Sequence, residues 1–294
     1  MPLRRSAAVL LALLTLLSAG ALAGCSDDDG GASTPSAEVT PTAVGDRALV
    51  EVLDPGADAR RVLSLGLADG TTTDATLVIS QEVVADDEPT VVPPVTVPFA
   101  LGVTAGDGDE VTTTQTYAAP TVDPTGAMPA AVARVEDAIG PIAGTTSQLV
   151  VRPDGTVVEA TSGVDAAAQF DAQLRALVPV LPTTEVGVGA RWSSTSVAEV
   201  GGALVDQVAT YTLESLEDDT YGISVTIEQT YRPGPVGDVE VRSGLGTVSA
   251  RLDGTLGRLL PDRATGNVST QVSYVVGGEV TEVRTTVALA LTAS

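Results

Sequence analysis

From about residue 48 onward, apolar and polar side chains alternate in runs, and the period is two. Ile223, Val225, Ile227, Gln229 and Tyr231 share one side of an extended segment, while Ser224, Thr226, Glu228 and Thr230 take the other. Near the C-terminus Val283, Thr285, Val287, Leu289 and Leu291 alternate with Arg284, Thr286, Ala288 and Ala290. Such alternation predicts antiparallel strands with one buried and one wet face, and the Val, Thr and Ile content suits a pleated surface. Turn signals divide the runs. Arg152-Pro153-Asp154-Gly155 lies between Leu149–Val151 and Val157–Val158, Glu217-Asp218-Asp219 follows Tyr211–Leu216, and Gly277-Gly278 follows Val272–Val276. Each predicts a hairpin.

Two windows change period. Ala130 to Ile139 places Val132, Val135 and Ile139 on one side, with Pro129 at the first helical position and Gly140-Pro141 at the end. Asp165 to Val178 spaces Ala167, Phe170, Leu174 and Leu177 by three, four and three residues, and Pro179 stops it. Asp165, Gln169, Asp171 and Gln173 fall largely off that stripe. Each helix needs a sheet to cover its apolar side. The expected fold is therefore mainly β (α+β), an antiparallel, curved sheet with two amphipathic helices packed on it. Gln115-Thr116-Tyr117 and Gln229-Thr230-Tyr231 each precede a proline-containing excursion, and similar openings follow, Gly144-Thr145-Thr146-Ser147 and Gly246-Thr247-Val248-Ser249. Two similar β-rich halves, about 46–180 and 181–294, would account for this, and chance reuse of Thr and Val would too.

The N-terminus reads differently. Arg4 and Arg5 precede an uncharged, predominantly apolar run from Ala7 to Ala21, and small residues lead into Cys25, the one cysteine of the chain. The run is shorter than the roughly 20 residues of a spanning helix, so residues 1–24 read as a secretory signal peptide. Leu22-Ala23-Gly24-Cys25 resembles the lipobox of bacterial lipoproteins at all four positions. The resemblance implies a diacylglycerol on the Cys25 sulfur, cleavage after Gly24, and a chain lipid-anchored to the outer face of the cytoplasmic membrane. Residues 25–45, rich in Asp, Gly, Ser, Thr and Pro, read as a polar tether, and 46–294 as the extracytoplasmic β-rich body. The layout and the lysine-free, Ala/Val/Gly/Thr/Arg-rich usage resemble actinobacterial cell-envelope lipoproteins. The resemblance brings to mind lipid carriers with a curved sheet and helices on its concave side, and it carries over no residue of theirs.

Charge narrows the function. After removal of residues 1–24, thirteen arginines face 38 acids, a net charge of −25. Such a surface repels nucleic acid and anionic headgroups, leaving the Cys25 lipid as the contact with the membrane. With no histidine, neither a Ser-His-Asp system nor a histidine metal site can form. The acidic groups suggest nothing stronger. Asp27-Asp28-Asp29 suits a self-repelling linker, Gly106-Asp107-Gly108-Asp109-Glu110 lacks the distal ligand of a calcium loop and reads as a hairpin, and Asp86-Asp87-Glu88 and Asp218-Asp219 fall in turns. Gly187-Val188-Gly189 supplies a bend before Trp192, the one tryptophan, which reads as a core plug or the floor of a pocket. No cofactor and no catalytic residue is expected. The leading expectation is a non-catalytic protein holding an apolar or lipid envelope ligand, with Phe170, Leu174, Leu177 and Trp192 as lid or core. The alternative is a structural or interaction protein docking another envelope protein, and a hydrolase without a recognisable motif stands third.

Overall fold

Alternation at period two is realised in fourteen strands of a single antiparallel sheet, drawn from a computed structural model that describes residues 49–294 except 86, 107, 108 and 238. In chain order the elements are β1 (Leu49–Asp54), β2 (Thr72–Ala85), β3 (Glu88–Ala105), β4 (Val111–Tyr117), β5 (Thr121–Val122), α1 (Pro129–Ile139), β6 (Thr146–Val151) and β7 (Val157–Ser162). They continue with α2 (Asp165–Ala176), β8 (Arg191–Val200), β9 (Ala203–Glu217), β10 (Thr220–Tyr231), β11 (Gly234–Val236), β12 (Val239–Thr255), β13 (Arg263–Val276) and β14 (Glu279–Ala293). The strands run β1-β8-β9-β10-β12-β13-β14-β2-β3-β4-β6-β7 across the sheet, with β5 beside β3 and β11 beside β12. The two expected halves therefore share one ladder, because β14 pairs with β2 and β1 crosses to pair with β8.

Hydrogen bonds at one end show that this sheet curls. Leu65 and Gly66, neighbours in the chain, donate to the carbonyls of Pro153 and Leu256, each at 2.7 Å. Those carbonyls must then lie within about 9 Å of each other. Pro153 follows β6 and Leu256 follows β12, six ladder steps apart. Laid flat at about 4.8 Å a step, the two strand ends would be about 29 Å apart. The concave face is thus folded inward, and residues 55–67 and 177–190 cross the gap. Arg61 pairs with Val186, the Leu181 N–H donates to Asp154, and the Gly187 N–H donates to Pro55. Gly155, at φ +81°, lets the β6–β7 turn meet this strap: a Cβ there would lie 2.1 Å from the Pro179 carbonyl.

Both helices form where the spacing placed them. Pro129 occupies the first turn of α1, a short 3-10 turn (Gly140–Ile142) ends it, and Val135 and Ile139 are buried. α2 lies along β6 and β7. The suspected duplication survives only in part. Gln115 and Gln229 both face inward near the ends of β4 and β10, followed by buried Tyr117 and Tyr231. The openings do not correspond, since Gln115 sits opposite Ser147 but Gln229 opposite Gly246, a difference of three residues.

Candidate functional site

The residues singled out as lid or core are core. Phe170, Leu174, Leu177 and Trp192 are 5%, 1%, 2% and 0% exposed and belong to the main apolar cluster of the concave face. Trp192 stacks on its cross-strand neighbour Tyr211, rings 5.4 Å apart and 8° from parallel, and its indole N–H donates to the Val180 carbonyl at 2.7 Å. Burial pushes the Tyr211 phenol up to about 12. The pair pins the strap to the start of β8. Cys25 and the preceding Leu22, Ala23 and Gly24 lie outside the described residues, as does Asp27-Asp28-Asp29.

One expectation about α2 is overturned. Asp171, placed off the stripe by its spacing, is 1% exposed. It is turned inward by partners on two strands: Tyr117 of β4 and Ser162 of β7 both donate hydroxyl protons to it, and Gln115, also on β4, lies 3.0 Å from the Tyr117 oxygen. A phenol has one proton, and an ionised carboxylate can only accept, so that proton belongs to Asp171. The Gln115 amide must then present its NH2 to the phenol oxygen. Oxygen and nitrogen of such an amide are assigned by their partners. This orientation gives the otherwise unpartnered Gln115 nitrogen an acceptor. Burial, with Asp171 adding to it, drives the Tyr117 phenol far above its usual range, so it stays a donor. Burial lowers the Arg175 guanidinium from its ordinary value, and Asp171 offsets part of that. The arrangement clasps a helix through a buried charge. Asp171, Tyr117 and Gln115 are buried in it, while Ser162 and Arg175 are half-buried.

A second polar feature crosses the concave face. Gln207, Gln229, Gly246, Thr270 and Thr285 lie opposite one another in turn on β9, β10, β12, β13 and β14. This rung separates the main cluster from a smaller one containing Val205, Tyr231, Val272 and Val283. A Cβ at position 246 would meet the Gln229 side-chain oxygen at 2.5 Å, so the glycine leaves room for that amide to lie across the rung. On β2 the amide of Gln81, 4% exposed, has neither its nitrogen nor its oxygen partnered.

The outer face carries the accessible chemistry. Leu49 and Leu53 on β1, Val197 on β8, and Leu204 and Val208 on β9 are 76%, 51%, 40%, 50% and 42% exposed. Register brings Leu49, Val197 and Val208 together, since Leu49 is opposite Thr195 and Thr195 is opposite Val208; Leu204 continues along β9, and Leu53 falls at the β1 register irregularity with no cross-strand partner. Glu51, Glu199 and Glu228 stand among them, exposed and in no ion pair among the described residues. Asp206 is the exception, held by Arg232 at 2.6 Å and so kept below the usual carboxylate range. Glu228 continues the Leu49–Thr195–Val208 rung. Separately, an open hollow of about 490 Å³ lies where β14, β2, β3 and β4 adjoin, walled by residues such as Thr76, Pro98 and Ala100. Among the described residues no cluster of three acidic, cysteine or histidine groups could hold a metal ion, and no helix is long and apolar enough to cross a membrane. No family model and no curated protein matches this chain.

Proposed function

We propose that the chain is a lipid-anchored, non-catalytic protein of the cell envelope that docks another envelope protein through the outer face of its sheet. The observation that carries this is the apolar surface of Leu49, Leu53, Val197, Leu204 and Val208 at one edge of the sheet, rimmed by unpaired glutamates. Exposed apolar surface with a charged rim is the usual mark of a protein-binding site. The ligand-holding alternative draws less support, because the side chains that would line a chamber under α2 are packed into the core. The lipobox residues Leu22 to Cys25 supply the anchor in this reading, and residues 25–45 the tether, which keeps an acidic body near the membrane without contact to it.

The test is sedimentation of the detergent-solubilised native membranes that carry the chain. The wild type should travel in an assembly larger than its monomer. Leu204→Asp with Val208→Asp, both exposed and harmless to the core, should return it to monomer size. An assembly unaffected by the pair of substitutions would overturn the docking face.

A further inference from the structure

β1 ends the sheet: β8 pairs with one side of it, and among the described residues no strand pairs with the other. A six-residue edge strand turns about three N–H and three C=O groups outward. Folded sheets blunt such an edge with charged side chains, proline, a bulge or a covering element. β1 reads Leu-Val-Glu-Val-Leu-Asp, with no lysine and no proline; its defences are the charge of Glu51 and a register irregularity after Val52, which leaves Leu49–Val52 regular. The opposite edge, β7, is by contrast packed by α2.

A second copy fits this edge poorly. An antiparallel self-pairing that matches Leu49 with Leu53 places Glu51 opposite Glu51, and like charges directly opposite are destabilising. It would also bring together two chains of net charge −25 each. The glutamates Glu51, Glu199 and Glu228 ask for positive charge instead, and the half-buried Val50 and Val52 ask for apolar neighbours on the inner side.

Resting on the docking reading above, we propose that the free edge of β1 takes up an extended segment of a basic envelope protein, adding it to the sheet as a further strand. Its side chains opposite Leu49, Glu51 and Leu53 are apolar, basic and apolar in turn. Main-chain hydrogen bonds supply the attachment, and the Glu51 partner sets sign and register. The acidic body draws such a segment in by long-range attraction, so association slows as salt rises.

The probes are nine-residue fluorescent peptides of alternating valine and threonine. One carries arginine opposite Glu51, a twin carries glutamate there, and a third is interrupted by proline. Each is titrated by anisotropy against the full lipidated chain in neutral detergent, with hydrogen exchange followed at β1. The arginine peptide should bind about tenfold more tightly than its glutamate twin. That preference should collapse in Glu51→Gln, the proline peptide should not bind, and β1 amides should gain protection. Equal affinities, no binding, or protection at another edge would each overturn the proposal. So would β1 amides protected before any peptide is added, which would show a second copy or the chain's own N-terminal segment in the place. If Leu204→Asp with Val208→Asp dissolves the native assembly while the peptides show no preference, the docking face stands and the strand-addition proposal falls.

Discussion

Tyr117→Phe removes one oxygen from the core and isolates the worth of the helix clasp. The ring keeps its place, including its tilted contact with Phe99 at 5.9 Å. What disappears is the proton donated to Asp171 and the oxygen facing Gln115. A hydrogen bond to a charged group contributes about 1.5–3 kcal/mol, and the Gln115 amide loses a partner as well. The expected loss is therefore about 2–3 kcal/mol, read as a lower urea midpoint at an unchanged slope. In a body of this length that corresponds to a Tm lower by roughly 5–10 °C. Ser162→Ala removes the other donor. The double variant should lose more than the sum of the two, by about 0.5 kcal/mol or more, because Asp171 would then be buried with neither hydroxyl. A Tyr117→Phe midpoint indistinguishable from wild type, or strict additivity in the cycle, would refute the clasp.

Other outcomes follow from the same packing. All five tyrosines are held above their usual range by burial, Tyr211 and Tyr231 to about 12 and Tyr117, Tyr221 and Tyr274 upward. The folded chain thus keeps protons the unfolded chain has lost, so stability is whole below pH about 10 and falls above it, by up to about 1.4 kcal/mol per pH unit for each phenol. Tyrosinate absorbance should stay flat through pH 10 and then rise together with loss of the circular dichroism of the sheet. A reversible step near 10 in the folded chain would contradict this. Gly155→Ala meets the Pro179 carbonyl at 2.1 Å in a left-handed backbone and should cost about 2 kcal/mol or more in urea unfolding. Leu174→Ala, emptying a position 1% exposed, should cost about 2–5 kcal/mol by the same assay. Cys25→Ser should release the chain from membranes or leave it unprocessed, as fractionation and intact mass would show.

Strands were legible where one side chain in two is apolar, as in β10 and β14, whose inward positions match the sequence pattern. The first part of β3 was not legible, because Pro93, Pro94 and Pro98 argue against a strand. Pro93 and Pro94 are accommodated in a bulge: Ile79 pairs with Val95 and Gln81 with Val92, leaving both prolines opposite Ser80. Asp171 was misplaced for a different reason. Helical spacing ranks a carboxylate as outward, and the donors that bring it inside come from Tyr117, 54 residues earlier, and from Ser162. A hint existed in Gln115 and Tyr117, two polar-tipped residues on the inward side of one strand. The docking surface left no periodic trace, since Leu49, Val197, Leu204 and Val208 become neighbours only through the pairing of β1 with β8 and of β8 with β9.

Position-specific photo-crosslinking in the living envelope tests the docking claim most directly. A photoreactive side chain at position 208 or 53 faces the proposed partner, while one at position 288 projects from the distant, equally exposed outer face of β14. The account predicts one discrete protein adduct shared by positions 208 and 53, absent from 288, and abolished by Leu204→Asp. Adducts of equal yield from all three positions, or none from 208 and 53, would contradict it.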